Sequence, residues 1–409
     1  MGGLIGRFAS EEFLGQTGLE MKAARVGFCV YISVPLFSTG VEGAGFQQAT
    51  VETDLRIGYG VAVADVDGDG RPDIVVADQH RVLWYQNPSW RRHVMAERLT
   101  ERDHVCVAAL DTDGDGRAEV MAGAGWAPWD TTTPGALFAL RAPQDRRALW
   151  TPEELPAEPT LHRIRWARDE QGRWTLVSLP LHGQGNDPGA GTGAGVRVHR
   201  YVRGSGADPD WRQNLLFEAL NKTHNFDVVA WDDDPADELV VASRQGLFLW
   251  DPAKDGSGGL RQLATNDVGG MGEVRAGRGV GGRRFLAAVE PMHGHRLGVY
   301  RQQDGVFQGA ILATNLVEGH ALVTGDFLGL GHDQIVVGWR GRGGQPGSVG
   351  LKLFVARDGD GSAWEGHTLD DAMACEDLAA ADLDGDGDLD LVASGRATRN
   401  LKVYWNLRR

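Results

Sequence analysis

The stretch Asp65-Val-Asp-Gly-Asp-Gly-Arg-Pro-Asp73 lies between two apolar runs, Val61 to Ala64 and Ile74 to Ala77. It recurs as Asp111-Thr-Asp-Gly-Asp-Gly-Arg-Ala-Glu119 and as Asp382-Leu-Asp-Gly-Asp-Gly-Asp-Leu-Asp390. Alternating carboxylates separated by glycines let a tight loop turn several oxygens toward one point, which is what a hard cation such as Ca2+ requires. The candidate ligands are Asp65, Asp67, Asp69 and Asp73 in the first copy, Asp111, Asp113, Asp115 and Glu119 in the second, and Asp382, Asp384, Asp386 and Asp390 in the third. The last acid stands at the ninth position and β-type sequence flanks both sides, so the unit differs from an EF-hand and reads as strand–loop–strand. Calcium is expected to staple a turn rather than to work a switch.

Weaker copies follow the same frame of apolar run, turn and apolar run at Trp231 to Val241 and Asp326 to Val337. Two more, at Ala167 to Val177 and Gly277 to Val289, keep only the glycine turn and the strands. Taking Asp65, Asp111, Ala167, Trp231, Gly277, Asp326 and Asp382 as equivalent gives intervals of 46, 56, 64, 46, 49 and 56 residues, seven units of propeller-blade length. The unit resembles the FG-GAP or VCBS repeat of integrin-α-type β-propellers, most clearly at Val61-Ala-Val-Ala-Asp-Val-Asp-Gly-Asp-Gly-Arg-Pro-Asp-Ile-Val-Val76. The resemblance covers about residues 46 to 409 and implies an all-β, seven-bladed propeller with calcium in three blades. It says little about activity, since propellers host many functions.

A chain of 409 residues with 58 glycines and 8% aromatics suits one large all-β domain and is too turn-rich for a helical one. No stretch of 18 apolar residues exists, so no membrane span is expected. The net charge of −15 disfavours a nucleic-acid partner. The three loops alone hold 13 acidic residues, which bound cations would largely offset, so the charge carries no separate function. Residues 1–45 stand outside the repeat. Met21-Lys-Ala-Ala-Arg25, the apolar run Val26 to Phe37 and the small polar stretch Ser38 to Gly45 follow the order of a secretory signal peptide, with translation starting at Met21; a loosely packed tail is the other reading. The signal reading predicts a secreted or periplasmic protein, and a monomer is expected. Cys29 would leave with the signal, while Cys106 and Cys375 fall in blades that are not neighbours and read as small core residues rather than a disulfide.

The chain stops soon after a third strand, at Trp405-Asn-Leu-Arg-Arg409, and Phe46-Gln-Gln-Ala-Thr-Val51 has the pattern of the missing outer strand. The N-terminal strand is therefore predicted to close the ring in the last blade, removing exposed sheet edges. Propeller topology then sorts the loops. The aspartate loops join first to second strands and share one face of the disc. First-strand entrances and second-to-third-strand loops share the opposite face, around the channel. The entrances hold Tyr59, His104, His162, His224, Glu273, His320 and Glu376. The second-to-third-strand loops hold His80, Trp126, His182, Arg244, His293, His295, Arg340 and Arg396. Eight of the twelve histidines thus gather on the face away from the aspartate loops. Imidazole suits both proton transfer near neutral pH and metal ligation, although a histidine at a strand entrance can equally serve by bonding a backbone carbonyl of the next blade.

Two loops on this face stand out. Ser178 to Gly195 is long, glycine-rich and polar, fitting either a substrate loop on a rigid scaffold or a plain surface loop. Glu290-Pro-Met-His-Gly-His295 brings two imidazoles within reach of one another, so a divalent metal at the channel mouth stays open beside a plain polar loop. There is no Gly-x-Ser-x-Gly elbow, phosphate loop or dinucleotide fingerprint.

Histidines and arginines facing one pocket suit proton abstraction next to a carbonyl or carboxylate, with Arg neutralising the developing oxyanion. In Leu161-His-Arg-Ile-Arg-Trp166, Leu179-Pro-Leu-His-Gly-Gln-Gly-Asn186, Thr223-His-Asn-Phe-Asp-Val-Val229 and Glu318-Gly-His-Ala321 the chain resembles the propeller part of aldos-2-ulose dehydratase and the rhamnose–glucuronate polysaccharide lyases. The resemblance is to the propeller part and does not extend to the cupin domains that follow in the dehydratase, so a second isomerisation step is not implied. The resemblance implies a carbon–oxygen lyase acting on a sugar or uronate-containing glycan, with His162 or His182 as base, Arg163 beside them, and His104 and His224 shaping the pocket or binding a metal. Tyr59, His80, Trp126, Arg244, Glu273, His293, His295, His320, Arg340, Glu376 and Arg396 would line the substrate site. The rival expectation is a non-catalytic propeller that binds a carbohydrate or a protein.

Overall fold

The computed structural model describes residues 45–204, 210–252, 259–303, 305–342 and 348–408. The leader, with its Met21 start and Cys29, lies outside them. Seven four-stranded antiparallel sheets follow one another as blades of a propeller, and the one helical turn among the described residues is Val280–Gly282. No helix there is long and apolar enough to cross a membrane. The first blade runs outward through Gly60–Ala64, Asp73–Asp78, Arg81–Gln86 and Arg91–Glu97. In the seventh, Cys375–Ala381, Asp390–Gly395 and Leu401–Asn406 are joined by Phe46–Glu52, which pairs with the last strand in the register Phe46 to Asn406 and Thr50 to Lys402.

Burial follows strand position. Second strands such as Asp73–Asp78, Glu238–Ser243 and Asp390–Gly395 are buried along their whole length, because blades pack against both faces of each. They therefore read as continuous Val, Ile, Leu and Ala runs rather than as alternation. Outer strands such as Trp211–Ala219 carry many exposed residues. Seven apolar clusters fill the seven blade junctions. Val75, Trp84 and Met95 meet Val107, Ala122 and Phe138 at the first junction, and Val392 and Val403 meet Leu55, Ile74 and Val76 where the ring closes. Each such side chain stabilises the junction by roughly 1.5–3 kcal/mol on burial. Cys106 and Cys375 are buried, unpaired members of two of these clusters.

One irregularity recurs. The innermost strands of blades three, four, six and seven each slip register between their first and third residues, at Leu161/Arg163, Thr223/Asn225, Gly319/Ala321 and Cys375/Asp377. The extra residue in each bulge is His162, His224, His320 or Glu376. A bulge leaves its extra residue out of the ladder and re-aims the side chain. The fold thus turns four chemically active side chains out of the strand pattern at the same level of the channel.

Candidate functional site

The bulge residues are tied to one another blade by blade. His162 Nδ1 donates to the backbone carbonyl of His224 at 2.7 Å, and His320 Nδ1 donates to that of Glu376 at 2.6 Å. His224 Nδ1 instead lies 2.9 Å from Oε1 of Glu273 in the next blade, a close approach of two buried atoms neither of which makes a hydrogen bond. A carbonyl or carboxylate on Nδ1 fixes the tautomer and leaves Nε2 as the chemically available nitrogen. His293 comes in from the loop after Glu290 with its Nε2 2.6 Å from His224 Nε2, so one proton must serve both nitrogens.

The rings pack closely. Centroids stand 4.5 Å apart for His162 and His224, 4.4 Å for His224 and His293, 5.1 Å for His224 and His320, and 5.0 Å for His293 and His320. Trp126 stacks on His162 at 4.8 Å. Burial first, then Arg163, lowers His162 and His224 well below the ordinary imidazole range; burial and then Arg340 do the same to His320. All three are neutral at pH 7. Burial raises the Glu273 carboxyl, against the opposing pull of Arg163 and Arg275.

Arginines surround this cluster. Arg163 is 6% exposed, and its Nε and Nη2 make no hydrogen bond, with Glu273 Oε1 3.8 Å from Nη2. Arg340 and Arg396 both bond Glu376. They also line a cavity of about 530 Å3 together with Arg56, Arg342, Arg399 and Glu318. Five guanidinium groups against one lining carboxylate make that cavity a place for an anion. Tyr59 lies under the Arg396 guanidinium, 5.2 Å from its ring centroid, and donates its hydroxyl to Asp103 at 2.8 Å. His80 Nε2 stands 3.9 Å from the same Asp103.

Other sequence candidates fall apart from the cluster. His104 is fully buried and accepts the backbone N–H of Leu99 at 3.3 Å, and burial pushes it down to about 4. His182 bridges the backbone of Lys222, and burial followed by Lys222 brings it to about 4. No ring contact or hydrogen bond joins either to the other imidazoles among the described residues. His295 and Arg244 are exposed. The glycine-rich loop after Ser178 is pinned by buried Asn186, whose amide donates to the carbonyls of Ala194 at 2.9 Å and Asn221 at 3.1 Å and whose Oδ1 accepts Ala194 N at 2.7 Å. Sequence reasoning missed Trp129, 71% exposed on the loop that carries Trp126. Its signal was the second aromatic of Trp126-Ala-Pro-Trp129.

The aspartate loops lie at the other end of the strands. In each, the first aspartate folds back on the loop: Asp65 accepts Gly68 N and Gly70 N at 2.7 Å each, and Asp111 and Asp382 repeat the pattern. Gly68 and Gly70 have φ of 81° and 84°, a left-handed turn that favours glycine. Ligand oxygens from Asp65, Asp67 and Asp73 lie within 4.8 Å of one another, as do those of Asp111, Asp113 and Asp115 and of Asp382, Asp384 and Asp390. Two oxygens on one Ca2+ at 2.3–2.6 Å can be up to about 5 Å apart, so the residues fit the ion. Buried Asp67 Oδ1 has no partner. Burial, and after it the neighbouring Asp67 and Asp65 carboxylates, raise Asp73 to about 7 although it accepts the backbone N–H groups of Val66 and Asn87, and a cation would oppose that rise. A fourth acidic group, Asp232, Glu238 and Asp251, was only half visible in sequence, because Asp251 follows the third strand of its blade.

Residues 65–122 match the FG-GAP-like repeat family. No curated protein matches the sequence. Among solved structures, a chain of the mitotic checkpoint complex is similar with a TM-score of 0.55 at 12% identity, over 94% of this chain and 99% of that one. BBS1N, crystallised in complex with ARL6DN, is similar with a TM-score of 0.54 at 12% identity, over 89% and 98%. Likeness at this identity concerns the fold alone.

Proposed function

We propose that the histidine face is the active site of a carbon–oxygen lyase acting on a sugar or uronate-containing glycan outside the cytoplasm. The observation that carries the reading is the cluster of imidazoles held neutral by burial with Arg163 beside them, which Glu376 links, through His320, to two arginines of the anion cavity. Lyase chemistry needs a neutral base beside a cation that stabilises the charge developing on a carboxylate or carbonyl. His162 takes the proton α to that group through Nε2, since Nδ1 is committed to the His224 carbonyl. The electron pair of the broken C–H bond forms the new double bond, the β carbon–oxygen bond breaks, and the leaving oxygen receives the proton that His162 has taken up. Arg163, buried with free N–H groups, faces the enolate-like charge. Exposed Trp129 offers a ring face for a sugar. The extracellular setting rests on the basic-then-apolar order of residues 21–37, and the aspartate loops would hold Ca2+ as turn staples.

The test is incubation of the purified protein with a panel of uronate polysaccharides and keto-sugars, followed by ultraviolet absorbance of unsaturated products. Binding of a glycan without any unsaturated product would favour the recognition-module alternative.

A further inference from the structure

We infer that His224, His293 and His320 form a binding site for one transition-metal dication of the Zn2+ class. The inference stands whether or not the protein is a lyase. Nitrogens of the three imidazoles lie within 4.8 Å of one another, which no pair of neighbours in sequence announces, since they come from blades four, five and six. The two buried members each have an oxygen beside the far nitrogen: Nδ1 of His320 bonds the Glu376 carbonyl at 2.6 Å, and Nδ1 of His224 stands 2.9 Å from the Glu273 carboxylate. Metal-bound histidines are held in this way, by a carbonyl or carboxylate on the second ring nitrogen.

The ligand chemistry is selective. Three neutral imidazoles with no oxygen donor suit Zn2+, Co2+, Ni2+ or Cu2+ and not Ca2+, which wants six to eight oxygens. Arg163 and Arg340 oppose a second cation here. Glu273, 1% exposed beside His224, and Glu376, 2% exposed behind His320, offset them. The 2.6 Å between the Nε2 atoms of His224 and His293 is a proton-sharing distance. Ligands at 2.0–2.1 Å in a tetrahedron stand roughly 3.4 Å apart, so the ion replaces the proton and His293 moves outward by somewhat under about 1 Å. His293 is exposed, which leaves room for that. It also has a φ of 51°, a left-handed conformation that a non-glycine residue adopts only where surroundings enforce it. The turn continues at Gly294, where a side chain would collide with the Glu290 carbonyl. Three protein ligands leave a fourth position open, the arrangement of sites that bind water or substrate rather than purely structural ones.

The test uses the full chain, stripped with EDTA and returned to excess Ca2+ so that the aspartate loops cannot compete. Titration with Co2+ should saturate at one equivalent, with the visible d–d absorption of a low-coordinate, nitrogen-ligated ion, and equimolar Zn2+ should bleach it. His293→Ala, on an exposed loop where folding is not at stake, and His320→Ala should each weaken uptake at least about 10-fold, and Glu273→Gln by about 10- to 100-fold. His367→Ala, on the outer strand of blade six, should leave uptake unchanged. Absence of the band at one equivalent, or a band that survives both His293→Ala and His320→Ala, overturns the site.

Discussion

Arg340 Nη1 stands 2.9 Å from both carboxylate oxygens of Glu376, and Arg396 Nη1 stands 2.8 Å from Oε1 of the same group. One buried anion therefore positions two guanidinium groups at the channel mouth, and the trio keeps a net positive charge toward the anion cavity. Removing the carboxylate leaves Arg340 with only Glu318, 3.1 Å from its Nε, and Arg396 with only the face of the Tyr59 ring, so most of the compensation of the two cations is lost. Breaking a buried pair from one side costs about 3–5 kcal/mol. Glu376→Ala should lower unfolding stability by about 3 kcal/mol, toward the lower end because Arg396 is partly exposed. Urea denaturation measures this, and a change below about 1 kcal/mol would mean that solvent already screens the trio.

The aspartate loops make a separate expectation, on the opposite face. Asp67→Ala, Asp113→Ala and Asp384→Ala should each remove about one equivalent of bound Ca2+, counted by calorimetry, and lower the melting temperature. Ca2+ at 100 times its Kd stabilises by about 2.7 kcal/mol per site, so a chelator should lower the melting temperature by several degrees. An unchanged melting curve in chelator would remove the structural role of calcium.

The number of blades and the loop faces were legible because apolar runs and glycine turns recur at blade-length spacing, and propeller topology alternates the two loop sets. The meeting of His162, His224, His293 and His320 was not. It depends on bulges, and an extra residue in a strand looks in sequence like any paired one. The same blindness merged His104 and His182 with the others, although His104 is spent on Leu99 N and His182 sits against Lys222. Glu273, read as substrate-facing from its position at a strand entrance, stands 2.9 Å from His224 Nδ1, and Glu376, read the same way, gives its backbone carbonyl to His320 and its carboxylate to Arg340 and Arg396. Asp251 was missed because it joins Asp232 and Glu238 only through the return of a third strand.

His104 gives the stability a pH dependence. Burial holds it near 4, with a contact to the Arg81 backbone opposing, and His80, Asp103 and Asp78 are its ionisable neighbours. The unfolded chain takes up a proton near pH 6.5, while the folded chain resists until about pH 4. The unfolded state thus binds more protons in that window. The full contribution is present above pH 6.5 and declines on acidification toward pH 4, by on the order of 3 kcal/mol in total. His182, held to about 4 by burial and then Lys222, adds in the same direction. Urea midpoints measured from pH 7 to 4 should fall, and His104→Asn should make the slope shallower. An equal slope in the variant would assign the effect to carboxylates elsewhere.

The last expectation separates catalysis from recognition. His162 is the imidazole with one nitrogen fixed by a neighbouring carbonyl, one left without a hydrogen bond among the described residues, and a ring face stacked on Trp126. Loss of a positioned general base lowers turnover by about 100-fold or more, so His162→Ala should show that fall in kcat with KM little changed. Trp129→Ala should do the reverse, raising KM several-fold at nearly constant kcat, because an exposed ring can contribute only to holding the sugar. Arg163→Lys tests the cation independently: an ammonium keeps the charge but loses the planar fork, and kcat should fall while Ca2+ content stays the same. His182→Ala, the other candidate base, should keep most of the turnover. Full activity in His162→Ala with loss in His182→Ala would move the base to the glycine-rich loop. Glycan binding that survives every one of these changes, with no unsaturated product from the parent protein, would make the propeller a recognition module.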